Sequence, residues 1–164
     1  MPAAVPAGSV RVGSVRVRFV TRGDYAEWLP LWEGYNEFYK RFGATALPDS
    51  VTQVTWARFF DVYEPMFAMV AEVDGHLVGL VHYLWHRSTI SIEPTCYLQD
   101  LFTAEAARGR GVGRLLIEAV YEQARLAGVV NVYWRTHASN ATARRLYDHV
   151  AEESGSLVYK VRLP

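Results

Sequence analysis

Apolar positions change their period along this chain, and each change marks an element. Residues 16–20 (RVRFV) alternate, which predicts a first strand. From Trp28 the apolar side chains step by three and four. Trp28, Leu31, Trp32, Tyr35, Phe38, Tyr39 and Phe42 predict a helix over about residues 25–41, started by Asp24, with an aromatic stripe facing a core. Pro30 falls in its first turns, where proline is tolerated. A second helix over about 51–63 carries Val54, Trp56, Phe59 and Phe60, with Asp49 or Ser50 as its cap. Residues 66–73 and 77–85 are apolar runs of strand length joined by Asp74-Gly75, a pair that favours a tight hairpin turn. Residues 97–103 read as the next strand. Leu115, Leu116, Ala119, Val120 and Ala127 then repeat at helical spacing up to Gly128, an expected C-terminal cap. Residues 129–136 are rich in β-branched and aromatic types and predict a strand. A helix over 141–150, capped by Ser139 or Asn140, follows, and the alternation of 157–163 predicts a terminal strand. The order implies an α/β (α+β) fold, a central mixed sheet with helices on both faces. Its strand–helix–strand step predicts that 129–136 runs parallel to 97–103.

Composition narrows the class. The length, 164 residues, suggests one domain over 14–164 behind a loose, Pro/Ala/Gly-containing segment, 1–13. GSVRV occurs twice, at 8–12 and 13–17, too short to be an architectural repeat. Seventeen basic and seventeen acidic residues leave no basic field that would argue for nucleic acid. No apolar run reaches membrane-spanning length. A single cysteine, Cys96, excludes an internal disulfide and fits a reducing compartment. With a polar start to the chain, this predicts a cytoplasmic protein. Cys96 is read as a small core residue, and His82 and His86 as structural or surface residues.

The chemistry concentrates in Arg108-Gly109-Arg110-Gly111-Val112-Gly113, placed where a strand feeds a helix. Glycines let backbone approach a ligand, and the first helical turn presents unpaired N–H groups at the positive end of the macrodipole. This arrangement suits a phosphate or pyrophosphate, and Arg108, Arg110 and Arg114 add positive charge. A P-loop would need Lys-Ser or Lys-Thr after the glycines, and a dinucleotide loop would need G-x-G-x-x-G; neither is present here. R/Q-x-x-G-x-G/A is present, as Arg108, Gly111 and Gly113. That loop resembles the pyrophosphate loop of the GNAT superfamily of acetyl-CoA-dependent N-acetyltransferases. Further along, Asn140, Ala143, Leu146 and Tyr147 supply the N-x-x-A-x-x-L-Y helix that follows in the same superfamily. Segments 97–103, 132–137 and 157–163 look similar to a subgroup acting on small amines, polyamines or histone tails.

The resemblance implies a GNAT-like acyl-CoA N-acyltransferase fold with acetyl-CoA as co-substrate. Backbone groups of Leu101, Phe102 and Thr103 would meet the acetyl carbonyl and pantetheine arm, with the Leu101 N–H as oxyanion donor. Arg108, Gly109, Arg110, Gly111, Val112, Gly113 and Arg114 would hold the pyrophosphate. Asn140 would contact the pantetheine arm or cap its helix, and Tyr147 would protonate the departing thiolate. No nucleophile–base pair is visible, so transfer to a small-molecule or peptide amine would be direct. Many relatives carry Glu where this chain has Gln99, which leaves the general base unassigned. Strand alternation puts Asp100 on the face opposite Gln99 and Leu101, and Tyr97 on the Gln99 face. Tyr97, Gln99 and Tyr35 are therefore taken as substrate-side residues. Glu33, Glu37, Asp49, Asp61 and Glu64 are read as a solvated face. Gln99 also admits an alternative, a catalytically weak acetyl-CoA-binding sensor. The resemblance and the aromatic content are compatible with a homodimer, and no metal is implied.

Overall fold

The computed structural model describes residues 10–12 and 14–163. Its strands are β1 (Val10–Val12), β2 (Val15–Phe19), β3 (Met66–Val73), β4 (His76–His86), β5 (Thr95–Thr103) and β6 (Val132–Tyr133). Its α-helices are α1 (Tyr25–Phe38), α2 (Asp49–Arg58), α3 (Val112–Leu126) and α4 (Ala141–Val150). The chain falls into two compact units divided between Trp134 and Arg135.

In the first unit the six strands lie in sequence order, antiparallel from β1 to β5 and parallel from β5 to β6. The sheet is therefore mixed. The two GSVRV copies contribute the β1–β2 hairpin, with Val10 opposite Val17 and Val12 opposite Val15, so part of the segment expected to be loose is a strand. The rest of that segment lies outside the described residues. Asp74 and Gly75 both take positive φ, as the tight hairpin between β3 and β4 requires. The parallel β5–β6 pairing was expected, but β6 holds only two residues rather than the eight of 129–136.

Neighbouring residues of β4 show how the two faces are covered. Leu80 joins Trp28, Leu31, Trp32 and Tyr35 of α1 in one buried cluster, with Trp56 and Phe59 packed against it. On the opposite face, a Cβ at Gly79 would come within 3.0–3.1 Å of Val112 and Leu116 of α3. Helices thus cover both faces, and Gly79 is the residue that lets α3 sit this close. Buried Leu115, Leu116, Ala119 and Val120 form the α3 stripe that its periodicity predicts.

Helix α1 stops at Phe38 rather than near 41, and Phe38 and Phe42 are exposed, so the core stripe ends at Tyr35 and half-buried Tyr39. Helix α2 ends at Arg58, five residues before the expected boundary, and Asp49 lies inside it. Asp24 occupies the N-cap position of α1, but with helical dihedrals its side chain makes no cap bond. The carboxylate instead takes two bonds from Arg18 (2.7 and 2.9 Å) and one from the Thr21 N–H (2.6 Å). Arg18 also donates to Glu72 at 2.8 Å.

The Arg18 hydrogen bond pulls the Asp24 carboxyl down from 3.8 to about 2. The unfolded chain therefore takes up this proton first. The stabilisation is complete above the unfolded value and is lost as pH falls through about 2. Asp24→Asn should lower stability at neutral pH by a constant amount, and the gap to wild type should close as pH drops from 4 toward 2. Urea unfolding at a series of pH values measures it; a gap that stays constant at low pH would refute the assignment.

In the second unit α4 carries Asn140 as its N-cap, the side chain accepting from the Ala143 N–H at 3.4 Å. Residues 157–163 form no strand; Leu157, Tyr159, Val161 and Leu163 are exposed. Alternation prescribes which side chains share a face, but a strand also needs a partner edge for its backbone groups.

Candidate active site

The site begins in the register of β5. Tyr83 faces Leu98 and His82 faces Asp100, so Gln99 has no partner on β4 and forms a β-bulge. A bulge re-aims the residues around it. Gln99 is exposed, while Asp100 is buried. Simple alternation would separate Tyr97 from Asp100. With Gln99 as the extra residue, both lie on the α1 face, opposite Leu84 and His82. Phe102 shares that face, its ring lying against Gly34 of α1. Leu101 lies on the other face, paired with Val81.

Beyond Tyr97, β6 no longer pairs with β5. The β5 edge from Leu98 to Thr103 that faces away from β4 is therefore not covered by β6. Backbone groups of Leu101 and Thr103 lie along this stretch, as an extended ligand adding itself to a sheet edge would need.

The chain then enters the arginine–glycine loop. Arg108 Nε donates to the Thr103 carbonyl at 3.2 Å, and its guanidinium stands 5.9 Å from the centre of the Phe102 ring. Ala107 and Val112 are buried and anchor the two ends of the loop. Gly111 is the N-cap of α3, in the left-handed region at φ +78°, which a side chain would strain. The first helical bond runs from Leu115 N–H to Gly111 C=O (3.1 Å), so the N–H groups of Val112, Gly113 and Arg114 have no helical acceptor. No side chain caps them and no acidic residue stands in the first turn. Arg108, Arg110 and Arg114 are all exposed around this turn. Open donors, a glycine cradle with nothing within 4 Å of added Cβ atoms at Gly109 or Gly111, and three guanidinium groups fit a pyrophosphate.

Helix α1 supplies the other wall. Tyr35 is buried between Trp32 and Tyr39, ring centres 5.5 and 4.9 Å away, and lies near the Asp100 carboxylate. Burial, reinforced by Asp100, pushes the Tyr35 phenol far above its ordinary value, so it keeps its proton. Arg41 lies over the rings of Tyr35 and Tyr39. A cleft of about 560 Å³ between α1 and α2 is bordered by Trp32, Asn36, Arg41, Glu33, Glu37 and Asp49, among others. Three of the acidic residues read as a solvated face thus line a cleft.

Sequence reasoning read His82 as a structural or surface residue and placed Asp100 on the face opposite Gln99, and did not foresee that the two meet. His82 is 3 % exposed and Asp100 7 %. The signal was present: each is a polar residue inside an apolar strand run, and buried polar groups require partners. Cys96 is buried, and burial pushes its thiol up to about 12, which suppresses thiolate chemistry. Among the described residues no cluster of His, Cys, Asp and Glu could hold a metal ion, and no helix is long and apolar enough to cross a membrane. Asn140 and Tyr147 lie on α4, in the second unit.

Comparison with known proteins bears on this geometry. The Acetyltransferase (GNAT) family model matches residues 28–151. The chain is 36% identical over 146 residues to the D-amino-acid N-acetyltransferase HPA3 of Saccharomyces cerevisiae, covering 88% of each chain. It is 28% identical over 153 residues to the L-2,4-diaminobutyric acid acetyltransferase of Nocardia farcinica, covering 93% of this chain and 72% of that one. Among solved structures, AAC(6')-Iy in complex with a CoA bisubstrate analogue superposes with a TM-score of 0.78 at 16% identity, covering 93% of this chain and all of that one. The chain is a member of the GNAT acetyltransferase family, an enzyme that transfers an acetyl group from acetyl-CoA to an amine.

Proposed function

We propose that the acceptor is the amino group of a free amino acid, and that Tyr147 protonates the departing thiolate. The observation that carries the acceptor reading is the mixed charge of the cleft between α1 and α2. Arg41 offers a partner for a carboxylate, while Glu33, Glu37 and Asp49 favour an ammonium. A zwitterion satisfies both signs at once; a polyamine leaves Arg41 opposed. The two curated relatives described above act, by their names, on amino acids.

On this reading the loop 108–114 anchors the pyrophosphate, and the β5 edge past Tyr97 takes the pantetheine arm as an added strand. The Leu101 N–H faces the charge that develops on the thioester oxygen. The amine attacks directly, and Tyr147 supplies the proton that the thiol needs on leaving. The exposed Gln99 at the bulge supports a second reading, a sensor that binds acetyl-CoA with little turnover.

Release of free thiol across D- and L-amino acids, their carboxamides, polyamines, aminoglycosides and lysine peptides tests this. Turnover is expected with amino acids, and weaker turnover with the carboxamides, which lack the negative charge. Polyamines turning over faster than every amino acid would overturn the acceptor assignment. Tight acetyl-CoA binding without thiol release from any amine would favour the sensor.

A further inference from the structure

The arginine–glycine loop reaches back onto the strand it follows, and register fixes what it meets there. Gly79 of β4 lies opposite Thr103, and the Ala104 N–H donates to the Val78 carbonyl at 2.9 Å. Backbone groups of an antiparallel strand alternate in direction. Those of Ala104 and Phe102 therefore point toward β4, and those of Leu101 and Thr103 point away from it. The Phe102 carbonyl oxygen, 3.0 Å from an added Cβ at Gly79, agrees with this alternation. The Thr103 carbonyl thus stands on the β5 edge that β6 leaves open, and Arg108 Nε donates to it at 3.2 Å. The same guanidinium stands 5.9 Å from the centre of the Phe102 ring, which Gly34 of α1 accommodates by lacking a side chain. Arg108 is exposed, so water can replace either contact. A hydrogen bond in that setting exchanges at small net cost.

A pantetheine arm added along this edge needs the same carbonyl as an acceptor for its amide N–H. We propose that Arg108 is a specificity-determining residue for the acyl donor. It covers the Thr103 carbonyl against thioesters carried on a bare pantetheine arm, and yields it to a thioester that also carries a pyrophosphate. The two donors differ in what the guanidinium gains by leaving. Arg108 stands between Thr103 and Gly111, the N-cap of α3, so its side chain borders both the open edge and the helix N-terminus. A pyrophosphate held at that N-terminus offers the guanidinium ionic, bidentate bonds in place of one bond to a neutral carbonyl. The exchange is favourable, and it frees the edge as the anion binds. A bare arm brings no anion. It has to displace the cation from Thr103 with no compensating bond, and it binds more weakly by that difference.

This inference rests on the reading of the 108–114 loop as a pyrophosphate site, and its test separates the two. Acetyl-CoA and S-acetylpantetheine are titrated by calorimetry into wild type and Arg108→Ala, with no acceptor amine present. Arg108→Ala should bind S-acetylpantetheine about three- to tenfold more tightly than wild type does, the worth of one net hydrogen bond. It should bind acetyl-CoA about tenfold more weakly, because a charged partner of the pyrophosphate is gone. The opposite signs are the signature. A folding defect would weaken both ligands, and so would a purely structural role for Arg108. Binding of S-acetylpantetheine that is unchanged or weaker in the variant, undetectable binding to both proteins included, would overturn the proposal and leave Arg108 a phosphate contact only. Wild type that fails to bind acetyl-CoA, or binds it no more tightly than S-acetylpantetheine, would refute the pyrophosphate reading of the loop itself.

Discussion

Replacing Tyr147 with phenylalanine should lower kcat by about 10²–10⁴-fold, the usual contribution of a positioned acid or base. The KM for acetyl-CoA should stay within severalfold, because on the proposed reading the pyrophosphate is held by backbone N–H groups and arginines of the 108–114 loop and not by Tyr147. The reason lies in the leaving group: a free thiolate expelled from a thioester readily re-adds, and a proton delivered as the bond breaks makes departure irreversible on that timescale. The phenylalanine variant retains the ring and loses only the hydroxyl, so α4 should fold normally behind its Asn140 cap. Steady-state kinetics with thiol detection, together with a melting curve, gives both quantities. A kcat within twofold of wild type would remove Tyr147 from the chemistry while leaving the family assignment intact.

Trp28→Ala is the second large effect, and it acts on stability. Trp28 is fully buried and packs face to face on Trp32 at 5.7 Å, with Trp56 at 4.7 Å and Phe59 at 6.1 Å. Truncating a buried aromatic of this size costs about 3–5 kcal/mol. The substitution also leaves His82 Nε2 buried without its donor, a further ~1–3 kcal/mol. Against a total stability of about 5–15 kcal/mol, such a loss removes much of the margin. Core truncation alone should lower the melting temperature by roughly 6–20 °C for a chain of this length. Trp28→Phe should recover most of the packing and leave only the missing donor. Urea unfolding of the two variants separates these contributions. A loss below about 1 kcal/mol in Trp28→Ala would show that the aromatic cluster is not the support of α1.

How much of this was legible beforehand depended on whether the information was local. The loop 108–113 and the helix after it were readable because glycine conformation, orphan N–H groups and arginine charge all act within a few residues. The Asp74-Gly75 turn and the Asn140 cap were readable for the same reason. The stripe from Trp28 to Tyr35 was readable because burial of one helical face repeats at a fixed period. Its overextension to Phe38 and Phe42 shows the limit: the apolar spacing continues past the point where the helix ends at Phe38, and those rings are exposed. Residues 157–163 fail in the same way, with the alternation of a strand and no ladder to join.

The sequence by itself determined most of the order of elements and the glycine-rich turn between β5 and α3, which follow from short-range periodicity and backbone preference; the family was legible as a resemblance of motifs. Tertiary structure alone decided which polar residues meet. Residues 28, 82 and 100 come together because β4 and β5 pair in one particular register, and because that register skips Gln99. A one-residue slip between paired strands moves every following side chain to the other face. The position of Asp100 was therefore set by its partner strand and could not be read from β5 itself.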